Sequence, residues 1–503
     1  MKSSRVVLAI LLVAVMLPMA APAASGVAAD DNVPGVPIPA SPFGGTLHTS
    51  QDPDDVYAVY LKAGQSLTVA LKGADTTGFD LLLYGPGATD VWGDTPAWGS
   101  VSAGSVELFR YDATASGMYY LDIYAAEGSG SYTVSWHIED EEPGLLTFSF
   151  EGLGRIETAI AVSRSLYYEG SEYVIIATAR NFPDALGGSA LAGIIQAPIL
   201  LTEPAALPAS VGIEITENLG ASRAIILGGE AAVSAAVERT LQGLLGEGNV
   251  VRISGDSRYE TAQNVAMRVI QEREALPEPP AGHLAFVATG KKFADAVAAS
   301  SFASWGAFPF FLVSQDDDPL EFAETLKTAG IDTVVILGGD AAVPDAIGIA
   351  IEDAGITVGD RLAGDSRYET AAMVAHEFSL ATGMGPDGEV AITTGTKFPD
   401  ALAGGAALGN YSVPILLTQP TALDPFALGY LTTWGPNIRY LGFLGGVVSV
   451  DVLTRAAARR AIVGAWGVTS LSALSVPSAD YYTSFAVTRE RSAERIEEPI
   501  RRK

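Results

Sequence analysis

The sequence predicts a multidomain chain: an N-terminal all-β sandwich or jelly roll, then three α/β repeats, each built on a parallel sheet. Three observations carry this. Between about Gly44 and His137, short β-branched and aromatic runs alternate with Gly-containing turns, the pattern of many short antiparallel strands. From about Leu145 the apolar runs become continuous, as in strands that helices cover on both faces. Finally, one set of four landmarks recurs three times in the same order, which marks an internal repeat of about 100 residues.

The N-terminus carries Lys2 and Arg5, an apolar run from Val6 to Leu17, and then small residues. That is a secretory signal, assigned to residues 1–29; the apolar run is short of the about 20 residues that cross a bilayer. Residues 30–43, rich in Pro and Gly, read as a linker. The β-sandwich is placed at 44–139, with strands such as Val56–Leu61, Leu67–Leu71, Phe79–Tyr84, Met118–Tyr124 and Ser131–Trp136. Asp140-Glu141-Glu142-Pro143-Gly144 marks its end. The repeats are placed at 145–248, 249–356 and 357–465, followed by an exposed tail at 466–503.

Each repeat opens with a short strand: Leu146–Phe150, Val250–Ile253 and Val358–Leu362. The first landmark follows as a helix: Arg155-Ile156-Glu157-Thr158-Ala159, Arg258-Tyr259-Glu260-Thr261-Ala262 and Arg367-Tyr368-Glu369-Thr370-Ala371. Ser257 with Glu260, and Ser366 with Glu369, form capping boxes in which the Glu is expected to reach back to the cap's own N–H. Gly154 makes the first cap weaker. The second landmark is Phe182-Pro183-Asp184, Phe293-Ala294-Asp295 and Phe398-Pro399-Asp400, opening a helix such as Ala185–Ile195. The third is a strand after Pro: Ile199-Leu200-Leu201-Thr202, Phe310-Phe311-Leu312-Val313 and Ile415-Leu416-Leu417-Thr418. The last is a Gly pair at Gly228-Gly229, Gly338-Gly339 and Gly445-Gly446, fitting a tight strand-to-helix turn.

These elements resemble the cell-wall-binding repeat 2 family over about residues 146 to 465. The resemblance implies Toprim-like α/β modules assembled within one chain around a pseudo-threefold axis. It also implies a secreted surface protein held non-covalently on an anionic, teichoic-acid-like wall polymer. It places Ile199, Leu200, Leu201, Ile415, Leu416 and Leu417 among the polymer-binding residues. The second repeat departs with Ala294 and Phe310-Phe311-Leu312-Val313, which leaves open two competent sites or a structural middle repeat. Residues Asp54-Asp55-Val56-Tyr57, Leu61–Leu67, Phe79–Tyr84 and Gly117–Ile123 are similar to the bacterial pre-peptidase C-terminal domain, implying a non-catalytic accessory β-sandwich.

A formal charge of −28 argues against nucleic acid as a partner, since phosphate binding needs a positive field. An anionic polymer must then meet local basic pockets or bridging cations. The loop before each Asp helix supplies bases: Arg180, Lys291 with Lys292, and Lys397. Together with the signature residues Arg155, Arg258 and Arg367, these are the candidate anion sites, because a helix N-terminus favours negative charge. The structural reading of the same residues pairs Arg155 with Asp184, Arg258 with Asp295 and Arg367 with Asp400, tying helix to helix within a repeat. With no Cys, four scattered His and no metal-ligand spacing, no enzyme, cofactor or metal centre is expected. Asp52, Asp54, Asp55 and Asp80 read as a solvated acidic loop ahead of a calcium site. An adhesin acting through the sandwich, with Trp92 and Trp98 against a glycan, is the alternative function; a wall hydrolase is the least supported.

Overall fold

The computed structural model describes residues 32–74, 77–100, 106–140, 145–152, 154–180, 186–280, 282–383 and 388–466. The expected signal segment 1–29, the tail beyond 466, and Asp184 with its neighbours Asn181 and Phe182 lie outside them. The chain divides into two compact units between Glu141 and Glu142.

The N-terminal unit is a β-sandwich. Its strands are β1 (Val36–Pro37), β2 (Phe43–His48), β3 (Asp54–Leu61), β4 (Gln65–Gly73), β5 (Gly78–Tyr84), β6 (Trp98–Ser100), β7 (Val106–Asp112), β8 (Gly117–Glu127) and β9 (Ser129–Asp140). They form two sheets, β1-β3-β8-β5-β6 and β2-β9-β4-β7. Period-two alternation turns Val59 and Leu61, Leu67 and Val69, Leu81 and Leu83, and Leu121 and Ile123 into one shared core. Two acids expected in a solvated loop are instead buried in β3: Asp54 is 2 % and Asp55 6 % exposed. Asp55 accepts a hydrogen bond from the Tyr132 hydroxyl. Asp54 shares one with Asp122 on the adjacent strand β8. The β-register of this segment, continuous from Asp54 to Leu61, draws the acids into the sheet.

The C-terminal unit begins with β10 (Leu146–Phe150), α1 (Arg155–Leu166), β11 (Tyr173–Thr178), α2 (Gly188–Ile195), β12 (Ile199–Thr202), α3 (Ala209–Ile213), β13 (Arg223–Leu227) and α4 (Ala235–Leu245). It continues with β14 (Val250–Ile253), α5 (Arg258–Glu274), β15 (Leu284–Thr289), α6 (Ala294–Ala298), α7 (Ser300–Gly306), β16 (Phe310–Val313), α8 (Pro319–Thr328), β17 (Thr333–Leu337) and α9 (Asp345–Asp353). The last group is β18 (Thr357–Leu362), α10 (Arg367–Thr382), β19 (Gly388–Thr394), α11 (Pro399–Gly409), β20 (Ile415–Thr418), α12 (Pro425–Trp434), β21 (Ile438–Leu444) and α13 (Val452–Ala465).

Three parallel sheets result, in the orders β12-β11-β13-β14, β16-β15-β17-β18 and β20-β19-β21-β10. The opening strand of each repeat therefore edges the preceding repeat's sheet. β14 pairs with β13, β18 with β17, and β10 closes the series on β21. The short β13–α4–β14 and β17–α9–β18 units bring the next strand back parallel beside the last, while β10 pairs with a strand from the far end of the unit. The signature helices follow the same cyclic order. α1 packs on β12 of its own repeat and on α11 of the third; α5 packs on β16 and α2; α10 packs on β20 and α6.

Helices α2, α7 and α11, one per repeat, pack against each other through small residues. A Cβ on Gly193 would overlap the Ser304 backbone, and one on Gly409 would overlap that of Ser301. Ser304 Oγ donates to the Ala406 carbonyl across the contact at 2.6 Å. Both capping boxes form, with Ser257 and Ser366 accepting from Glu260 and Glu369 N–H at 3.2 Å. Each Glu, however, accepts from the residue before the cap, Asp256 at 2.7 Å and Asp365 at 2.6 Å. Gly154 has no side-chain cap bond.

Candidate functional site

The described landmark residues gather at the carboxyl ends of the central strands: the signature Arg reaches the loop after β11, β15 and β19, and the first Gly of the pair lies against the Asp of the second and third repeats. The signature Arg clasps the loop of its own repeat: Nη1 of Arg155, Arg258 and Arg367 donates to the carbonyls of Ala179, Gly290 and Gly395 at 2.5, 2.8 and 2.6 Å. The signature Thr reaches the neighbouring repeat. Thr158 lies beside Asp400, and Thr370 beside Asp295. Ser449 Oγ also donates to Asp400 Oδ2 at 2.8 Å.

For Asp295 and Asp400, the expected facing within a repeat is corrected to facing between repeats. Asp400 faces Arg155, not Arg367, and Asp295 faces Arg367, not Arg258. The cause is the packing of each signature helix on its neighbour's Asp helix. In the same cycle, α5, which begins at Arg258, packs on α2 of the first repeat. Burial pushes the carboxyls of Asp295 and Asp400 above the usual range, and the facing Arg and Lys groups oppose that rise. The Gly pair accommodates them: Gly338 has φ +99°, and a Cβ there would sit 2.9 Å from Asp295 Oδ2. Gly445, at φ +87°, bears the same relation to Asp400.

The loop bases separate into two kinds. Arg180 Nε lies 2.7 Å from Glu203 and Lys291 Nζ 3.6 Å from Asp316, so both are ion-paired. Lys292 and Lys397 are exposed and face Asp295 and Asp400. The rings of Phe293 and Phe398 lie 6.1 Å apart, and the Arg367 guanidinium stands 5.6 Å from the Phe293 ring centre, so the described junctions adjoin one another. Ile199, Leu200, Leu201, Ile415, Leu416 and Leu417 are at most 2 % exposed. As direct polymer contacts they are corrected to sheet core: parallel strands covered on both faces present no side chain to a ligand.

A second set of arginines at the junctions escapes sequence reasoning. Arg252 in β14 donates to the Gly228 carbonyl at 2.7 Å and pairs with Glu238 at 2.8 Å. Arg361 in β18 donates to Gly338 at 3.0 Å and pairs with Asp345 at 3.2 Å. In the third repeat the matching strand position of β10 is Ser149, and the arginine moves to α13: Arg455 donates to Gly445 at 2.9 Å and to Ser149 at 3.1 Å. Each guanidinium pins the first Gly carbonyl of the pair. The only sequence signal is the trade of strand Arg and helix acid for strand Ser and helix Arg, which needs the register to be seen.

Among the described residues, no group of three His, Asp or Glu side chains is placed to hold a metal ion, and no helix is long and apolar enough to cross a membrane. The class defined here is a tandem-repeat α/β scaffold whose motif residues meet at the joints between repeats. The chain belongs to the Cell wall binding domain 2 (CWB2) family, which it matches over residues 150–238, 252–348 and 361–469, in agreement with the resemblance seen in the sequence. It is 28 % identical over 306 residues to the amidase enhancer of Bacillus subtilis (strain 168), covering 61 % of this chain and 39 % of that protein. The chain thus spans well under half of that relative's length. Among solved structures it shares the fold of Cwp8 from Clostridium difficile, at 24 % identity and a TM-score of 0.54, over 66 % of this chain and 53 % of that one. Cwp6 from Clostridium difficile is similar at 19 % identity and a TM-score of 0.55, over 80 % and 67 %.

Proposed function

We propose that this chain is a secreted, non-catalytic surface protein, held without covalent attachment on an anionic, teichoic-acid-like wall polymer by its three repeats. Membership of the CWB2 family over all three repeats carries the reading. The cyclic exchange of strands and helices supports a pseudo-threefold assembly of Toprim-like modules as the binding body. Exposed Arg155, Lys292 and Lys397 supply local positive charge in an otherwise acidic chain. The β-sandwich, similar to pre-peptidase C-terminal domains, is the accessory part.

A second reading rests on Trp92, which is 61 % exposed. Its loop is fixed by the Tyr84 hydroxyl donating to the Val91 carbonyl at 2.7 Å and by Asn32 bonding Asp90 at 3.0 Å. An exposed indole on a rigid loop suits stacking on a sugar ring and an adhesin role. The deciding test is sedimentation of the full chain with purified cell walls, before and after acid treatment that strips phosphodiester polymers. Binding lost on stripping supports the anionic-polymer anchor. Binding retained assigns the ligand to peptidoglycan. Failure to bind untreated walls refutes the anchor and moves the function to the sandwich.

A further inference from the structure

We infer that the anion sites of this scaffold are two of its junctions between repeats, one built from Arg155 with Lys397 and the other from Arg367 with Lys292. The inference rests on the wall-anchor reading and gives it a location and a number of sites. At each of these junctions two cations, drawn from different repeats, face a single carboxyl, Asp400 or Asp295. Among these three groups at each junction the charges sum to one surplus positive charge. Those carboxyls are also engaged from the protein side by Ser449 and Thr158, or by Thr370. Burial further disfavours their charged form, which enlarges the surplus.

The donors fit a phosphate or carboxylate group. Arg155 and Arg367 each commit Nη1 to a loop carbonyl, leaving other guanidinium N–H groups of the five. Lys292 and Lys397 are exposed, and among the described residues neither makes an ion pair within 4 Å. The remaining loop bases differ: Arg180 and Lys291 are already neutralised by Glu203 and Asp316. The residue before the landmark Phe is Lys292 and Lys397 in two repeats but Asn181 in the first. The first repeat thus carries no charge at that position. The net charge of −28 does not prevent such binding, because charges beyond about 8 Å are largely screened at physiological salt. The local surplus decides.

The test uses the full chain with Lys292→Asn, Lys397→Asn, the double variant, and Arg180→Asn as an ion-paired control. Binding is read by sedimentation with purified walls and by titration with long-chain inorganic polyphosphate, and melting temperatures check that folding is unchanged. Each single variant is expected to weaken binding about threefold and the double variant about tenfold or more, with a shallower salt dependence. Arg180→Asn should leave both readouts within about twofold. If the unchanged chain binds walls and the double variant binds equally well, or Arg180→Asn weakens binding as much as the double variant, the junction inference is overturned while the anchor reading stands. If the unchanged chain fails to bind walls, the anchor reading falls first and the inference with it.

Discussion

Replacing Gly338 by Ala tests whether the Gly landmark serves the junction. Gly338 adopts φ +99°, where an L side chain is strained, and its Cβ would lie 2.9 Å from both Asp295 Oδ2 and Ala342 Cβ. The left-handed conformation costs about 1–2 kcal/mol, and displacing a buried carboxyl from its polar surroundings about 1–3 kcal/mol. Allowing for relaxation, the sum is about 2–4 kcal/mol. The adjacent Gly339 is the internal control: its nearest neighbour to a new Cβ is Ala363 at 4.0 Å, and its φ is unexceptional. Gly339→Ala should therefore change stability by less than about 0.5 kcal/mol. Urea unfolding followed by tryptophan fluorescence reads the difference, because Trp434 is 5 % exposed in the α/β unit. Equal effects at the two glycines, or none at either, would refute the claim that the carboxylate and the glycine are matched parts of one joint.

Two other outcomes are expected. The Asp122 carboxyl is pushed up from 3.8 to about 8, first by burial and then by Asp54. Its folded value lies above its unfolded value, so stability falls as pH rises from about 4 to about 8. Asp122→Asn, which keeps a donor for Asp54, should be neutral near pH 4 and stabilising on the order of 4 kcal/mol at pH 8; thermal melting across that range checks it, and destabilisation at pH 8 would contradict it. At the end of the third repeat's central helix, Ser412 holds φ 61°, as do its counterparts Gln196 and Ala307 at 52° and 51°. Ser412→Gly should relieve that strain and raise stability by about 0.5–1 kcal/mol, seen as a higher melting temperature.

Much of this architecture was legible from residues alone. Three recurrences of Arg-x-Glu-Thr-Ala, an Asp helix, a post-Pro strand and a Gly pair define the repeat number. Continuous apolar runs define parallel sheets, and Ser257 and Ser366 define helix starts, because these are local properties with a fixed period or spacing. Local signals cannot say which of three near-equivalent neighbours a residue meets. Arg367 with Asp400 and Arg367 with Asp295 are chemically the same pair, and only the packing of α10 on α6 selects the second. The same degeneracy hid the membership of β14, β18 and β10 in the preceding repeat's sheet. It also hid Arg252, Arg361 and Arg455, whose common role appears only when Ser149 and Arg252 occupy matching register positions. Local patterns were enough for the repeats and their elements; that the shared residues belong to the joints emerged only from the packed chain, because each junction brings together residues from different repeats, such as Arg367 with Asp295 and Arg155 with Asp400.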